Sequence, residues 1–210
     1  MVKGLKPFLK PQFDHTVYIP GAKLQTLFDY VWSRRRLLRK SVVYLAAGPF
    51  LLTRKNEDTR EIMLKQEVPT NKLEAMIKIL RKILIAVIIC PLTPIEFTIY
   101  NDLTARQQTY KHFYKDWTES MTKAIVQMNR AITGTNSRMG VITPFTHKYV
   151  LKKTSGRYKF RWWHLSDGLH FGQDARKAQI RELKRNAELN FNKILQDLRA
   201  MRRTFHSKHN

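Results

Sequence analysis

An aspartate and a histidine stand three residues apart in the run Trp162-Trp163-His164-Leu165-Ser166-Asp167-Gly168-Leu169-His170-Phe171. A carboxylate at that spacing can hold an imidazole in one tautomer while the other ring nitrogen acts as general base toward a hydroxyl. Asp167 and His170 are therefore the candidate acid and base of a hydrolytic triad carried on one loop. The same four residues also describe an aspartate capping a turn beside a packed histidine. A nucleophile to complete the set is hard to find. Ser33 and Ser41 bracket a basic segment, Ser120 falls inside a helical pattern, and Ser166 adjoins the acid without a strand-to-helix elbow. His112, His147, His164 and His170 lack the spacing of a zinc site, and no glycine-rich phosphate loop is present, so neither a metal nor a cofactor is expected.

The composition bounds what must position such a loop. With 210 residues, 43% hydrophobic and 11% aromatic, the chain suits one folded domain over residues 1–210. Lys and Arg number 39 against 16 Asp and Glu, a formal net charge of +23 that attracts polyanions, either nucleic acid or an anionic membrane. Cys90 is the one cysteine, so no internal disulfide forms, and its apolar surroundings predict a buried, inert thiol. The apolar run Ile83 to Leu92 is too short to span a bilayer, and the first thirty residues lack a signal-peptide pattern. No transmembrane segment is expected, and the expected location is intracellular (cytoplasm, nucleus or virion), not secreted.

Hydrophobic periodicity then gives the elements. His15 to Pro20 reads as a short strand, and Leu24, Leu27, Phe28 and Val31 mark a helix whose far end carries Arg34, Arg35, Arg36, Arg39 and Lys40. Ser41 to Gly48 has the continuous apolar character of a strand covered on both faces. Residues 53–69 are polar and charged, which predicts a mobile loop. Asn71 and Glu74 open a helix with Leu73, Met76, Ile77, Leu80 and Leu84 on one stripe, and Ala86 to Leu92 reads as another buried strand. A helix is expected from about Ala105 to Ile132, a short strand over Val141 to Phe145, and a last helix from about Asp174 to Phe205. That helix should bury Ile180, Leu183, Ala187, Phe191, Ile194, Leu198 and Met201, and 202–210 should form a basic tail. Strands alternating with helices predict an α/β fold, a three-layer α/β/α arrangement with a mainly parallel, doubly wound sheet and a long C-terminal helix. Its functional crevice would lie beyond the carboxyl ends of the strands, gathering Gly21, Gly48 and His170.

The order of these features resembles the SGNH, or GDSL-type, hydrolase family, in particular the esterase-like domains found beside some retroelement and viral open reading frames. Val17-Tyr18-Ile19-Pro20-Gly21-Ala22 is similar to the family's second block, Val43-Tyr44-Leu45-Ala46-Ala47-Gly48-Pro49-Phe50-Leu51 to the third, and Leu165-Ser166-Asp167-Gly168-Leu169-His170 to the last. The resemblance implies that Gly21 and Gly48 belong to the oxyanion site and that Asp167 and His170 belong to the triad. Two positions depart from it. The family's nucleophilic serine sits in an N-terminal Gly-Asp-Ser block, whereas here no serine precedes Ser33; Phe50 stands where the family's oxyanion asparagine belongs. A phenyl ring cannot donate to an anion, and losing one such donor costs roughly 10²–10³ in turnover. The resemblance therefore implies a degenerate or N-terminally truncated member, inactive as written, with a small ester as the substrate if an upstream serine exists.

The basic residues support a rival reading, a nucleic-acid-binding accessory protein of a virus or mobile element with no enzymatic site. Arg34, Arg35 and Arg36 form one group, Lys152 and Lys153 a second, and Arg181, Lys184 and Arg185 lie on the last helix opposite its apolar seam. Tyr158, Phe160, Trp162 and Trp163 interleave with the second group as stacking platforms or, by their alternation, as part of a strand.

Overall fold

The computed structural model describes residues 23–39, 41–55, 62–65, 70–106, 118–146, 150–154, 157–161, 165–166 and 170–206. In chain order they form α1 (Leu24–Ser33), β1 (Val42–Leu45), a 3-10 turn (Pro49–Leu52), β2 (Thr53–Lys55), β3 (Ile62–Leu64) and α2 (Thr70–Leu80). There follow β4 (Ala86–Ile89), α3 (Phe97–Arg106), α4 (Thr118–Arg138), β5 (Leu151–Thr154), β6 (Arg157–Phe160) and α5 (Gln173–His206). The class is α/β: helices pack around a parallel pair, β1 with β4, in register from Val42 opposite Ala86 to Leu45 opposite Ile89.

Side chains alternate across a strand, and β4 uses both faces. Val87 and Ile89 join Val43 and Leu45 in the main core, with Leu24 and Val31 of α1, Leu73 and Ile77 of α2, and Met121, Ile125, Met128 and Ile132 of α4. Ala86 and Ile88 turn the other way, toward Tyr44, Val141 and Ile194 of α5. All four β4 residues are buried, which is why the segment reads as an unbroken apolar run and not as an alternation. Removing a large β4 side chain from water contributes about 1.5–3 kcal/mol.

Hydrogen bonds fix the direction of α5. Its Ile194 packs beside Ala86 and Ile88, its Asn190 and Asn186 bond Ile142, and its Glu182 accepts from the Phe145 N–H at 3.1 Å. The 141–145 segment passes β4 in the strand direction, Val141 packing on Ala86 and Ile88 while Thr143 shares Asn136 with Ile89. Residue numbers in α5 thus fall as those in the strands rise. The helix is antiparallel to the pair, so its N-terminal end lies on the carboxyl side of β1 and β4. Glu182 is nine residues into α5 from Gln173, so the helix extends roughly 14 Å further in that direction at 1.5 Å per residue.

Several expected elements differ from those observed. Within 53–69, expected to be a loop, Thr53–Lys55 and Ile62–Leu64 pair as an antiparallel hairpin. Burial of Leu51 and Leu52 anchors its base, and the Lys65 N–H bonds the Leu52 carbonyl at 2.9 Å. Of the helix expected over 105–132, residues 105–106 close α3 and 118–132 lie in α4, residues 107–117 lying outside the described residues, and α4 continues to Arg138. Its end is set by Gly140, whose φ of +73° is left-handed. The Gly140 N–H bonds the Ser137 carbonyl and the Val141 N–H the Asn136 carbonyl, the pairing of a Schellman close, which favours glycine at that site. Asn71 lies inside the first turn of α2, which begins at Thr70, and residues 202–206 of the expected tail continue α5. The aromatic-rich stretch holds a second antiparallel hairpin, β5 with β6. The expected strand at residues 15–20 lies outside the described residues.

The 141–145 stretch forms no ladder, and the reason is chemical. Asn190 accepts from the Ile142 N–H at 2.7 Å and donates to its carbonyl at 2.9 Å, with Asn186 donating to the same carbonyl at 3.1 Å. A side-chain carboxamide presents the same donor and acceptor pair as a peptide, so it replaces a neighbouring strand at that residue. The device recurs twice on α4. Asn136 pairs with Ile89 at 3.1 and 2.9 Å, and Asn129 with Leu92 at 2.7 and 3.0 Å. Of the expected α5 seam, Ile180 and Leu183 are buried and Ile194 packs on Ala86 and Ile88, but Asn186 and Asn190 take buried positions along the same helix, and Phe191 is 58% exposed.

Candidate functional site

The loop before α5 is tied at its base. Leu165 and Phe171 form an antiparallel bridge, the Ser166 N–H donates to the His170 carbonyl at 2.7 Å, and the Ser166 hydroxyl donates to the same oxygen at 3.2 Å. Under this closure Val150, Leu165, Phe171 and Ala175 make a small separate apolar cluster. The loop is therefore pinned to the first turn of α5, whose Gly172 carbonyl accepts from the Arg176 N–H at 2.9 Å. His170 is exposed. Ser166 is exposed too, but its hydroxyl proton is directed to a carbonyl, which gives no support to a nucleophilic role.

Because α5 is antiparallel to the strands, His170, three residues before the helix, belongs to the end of the molecule where β1 and β4 finish. Gly48 is at that end as well, three residues after Leu45, and its carbonyl accepts from Leu51 at 3.2 Å to open the 3-10 turn. A Cβ built on Gly48 meets nothing within 4 Å, so the position borders open space and no steric need for glycine is present. Asp167 and Gly21 lie outside the described residues. Sequence reasoning missed two further residues on this side. Thr93 and Thr146 are 1% exposed, and their hydroxyls have no hydrogen-bond partner among the described residues. They lie in the segments that continue β4 and the 141–145 stretch, and no motif marks them.

The basic residues divide into separate surfaces. Arg34 lies over the Tyr30 ring with its guanidinium carbon 3.8 Å from the ring centroid, and Arg35 lies over Trp32 at 4.9 Å. Trp32 in turn stacks on Phe28, centroids 5.9 Å apart and planes 9° from parallel. Arg36 and Arg39 beside them are exposed. On α5, Arg181 is exposed and Lys184 half-buried, while Arg185 is held by Glu182 at 3.0 and 3.1 Å. Lys152 and Lys153 sit in β5 opposite Lys159 and Tyr158. Burial, and after it the charges of Lys23 and Lys72, hold Lys65 below the ordinary lysine range, so a fourth group of cations gathers near the start of α2.

Among the described residues no cluster of three or more His, Cys, Asp or Glu side chains is arranged to hold a metal, and no helix is long and apolar enough to cross a membrane. Cys90 is fully buried, and burial pushes its thiol up to about 12. No family model, no curated protein and no solved structure matches the chain.

Proposed function

We propose that the chain is an SGNH-hydrolase-like α/β domain that does not turn over esters as it stands. In this reading β1 and β4 belong to a mainly parallel, doubly wound sheet in a three-layer α/β/α fold. The observation that supports it is the antiparallel course of α5, which brings the end of the Asp-x-x-His loop to the same edge as the turn after β1. The resemblance implies the roles: His170 would take a proton from a serine nucleophile, Asp167 would orient the imidazole, and Gly21 and Gly48 would line the oxyanion site. Phe50 stands where the resemblance marks the asparagine donor, and residues 1–32 hold no serine for the Gly-Asp-Ser position, so within residues 1–210 the resemblance assigns no attacking atom. Hydrolysis of a short acyl ester by this chain and by His170→Ala tests the reading. Equal, background-level rates are expected; turnover abolished by His170→Ala would overturn the claim of inactivity.

A second reading, compatible with the first, is that the basic surface binds nucleic acid. Its support is the excess of 23 positive charges together with guanidinium groups already laid on aromatic rings at the end of α1. Binding of this origin falls linearly in log affinity with log salt as counterions are released. Absence of binding at low salt would refute it.

A further inference from the structure

We propose that the C-terminal end of α1 and the turn after it form a site for single-stranded nucleic acid, with bases stacking on the Arg34, Arg35 and Trp32 surface and phosphates meeting Arg36 and Arg39. The proposal rests on the nucleic-acid-binding reading and names where, and by what chemistry, that binding occurs.

Four arginines fall within residues 34–39, and none of them makes an ion pair among the described residues. The nearby carboxylate of Asp29 accepts from Gln25 at 2.8 Å. The end of a helix carries about half a negative charge, which four guanidinium groups outweigh. Two of the four are also oriented. Arg35 donates to the Trp32 carbonyl at 3.0 Å while lying over its ring. Arg34 donates to the Ser33 hydroxyl at 3.2 Å while lying over Tyr30. Arg34 is exposed, so its planar guanidinium, held over the Tyr30 ring, is accessible from solvent. Such planes, like aromatic rings, accept nucleobases by stacking.

Stacking selects the partner. A duplex keeps its base faces inside its own stack and would meet only the charge of this site, whereas a single strand offers both base faces and phosphates. An anionic membrane is the competing occupant, because Leu37 is 84% exposed and Trp32 38%. One exposed leucine beside a tryptophan already packed on Phe28 offers little apolar surface to insert, so the observations favour the single strand.

The test is fluorescence anisotropy with the full chain, using labelled oligo-uridylate, a duplex of the same length and vesicles containing phosphatidylserine. Oligo-uridylate should bind more tightly than the duplex at equal salt. The double variant Arg34→Lys, Arg35→Lys keeps both charges but loses the planes, and it should weaken single-strand binding about 5- to 100-fold with the salt slope unchanged. The variant Arg36→Gln, Arg39→Gln should instead reduce the salt slope for the single strand by about 1.4, at about 0.7 per phosphate contact. If the lysine variant binds the single strand as well as the parent, the stacking site is overturned while nucleic-acid binding stands. Absence of single-strand binding at low salt removes both, and preference for vesicles over oligo-uridylate overturns the single strand in favour of a membrane surface.

Discussion

Flat, hydrogen-bonding side chains do opposite work in two regions of this molecule. In the interior, Asn129, Asn136 and Asn190 each pair with both backbone groups of one residue. At the end of α1, Arg34 and Arg35 lie on rings at the surface. The carboxamides are enclosed by α4, α5 and the strand pair, where an unmet backbone group costs its full desolvation. The guanidinium groups are wet, and their contacts add little to folding. The difference teaches where each kind of residue is committed: the asparagines specify the fold, while the arginines remain open to a partner.

Substituting the interior group should give the largest effect. Asn136→Ala strands the Ile89 N–H and carbonyl and takes a donor from Thr143. A loss of about 2–6 kcal/mol is expected at about one to three for each of the two orphaned backbone groups, read from the urea midpoint. A loss below about 1 kcal/mol would erase the contrast between the two regions. Gly140→Ala should come next, at about 1 kcal/mol, because its φ of +73° strains any residue with a Cβ. Tyr44→Phe removes the hydroxyl that donates to Asn186 Oδ1 at 3.0 Å, and a loss near 1 kcal/mol is expected. The smallest effect is expected at the surface. Arg35→Ala should change stability by about 0.5–1 kcal/mol or less, although it belongs to the region where binding should respond most.

Alkaline pH sharpens the same comparison. Burial pushes the Cys90 thiol up to about 12 from an ordinary value of 9.0, and burial is also the main cause that raises the Tyr44 phenol, against the lowering effect of Asn190. The folded chain therefore keeps protons that the unfolded chain releases. Stability from these groups is fully present below pH 9 and lost as pH rises toward their folded values. Urea midpoints measured across pH 8 to 11 should fall, and less so in Cys90→Ala compared at each pH with its own neutral value. At pH 8 the native thiol should react with a soluble disulfide reagent only as fast as the chain opens.

Much of the scaffold was legible from apolar spacing. The α2 stripe of Leu73, Met76, Ile77 and Leu80 is buried as expected, β4 falls within the expected Ala86 to Leu92, and α5 spans nearly the expected residues. Periodicity failed where buried polar residues were decisive. The apolar seam puts Phe191 inward, whereas the buried positions there belong to Asn186 and Asn190, and the 141–145 stretch was expected to form a strand because its apolar run carries no mark of a carboxamide partner. The hairpins of three and four residues per strand are too short for alternation to stand out from charged surroundings. Of the candidate site, spacing put His170 before a helix, but only tertiary hydrogen bonds set the direction of that helix.

One consequence of the Asn136 pairing concerns self-association. The N–H of Cys90 bonds the Leu45 carbonyl, so neighbouring Ile89 presents its own N–H and carbonyl to the opposite edge of β4, where an incoming strand from another copy would dock. Asn136 occupies both groups. Among the described residues β4 pairs only with β1, and a single carboxamide on a helix thereby closes one residue of a margin of the kind that, left bare, templates aggregation.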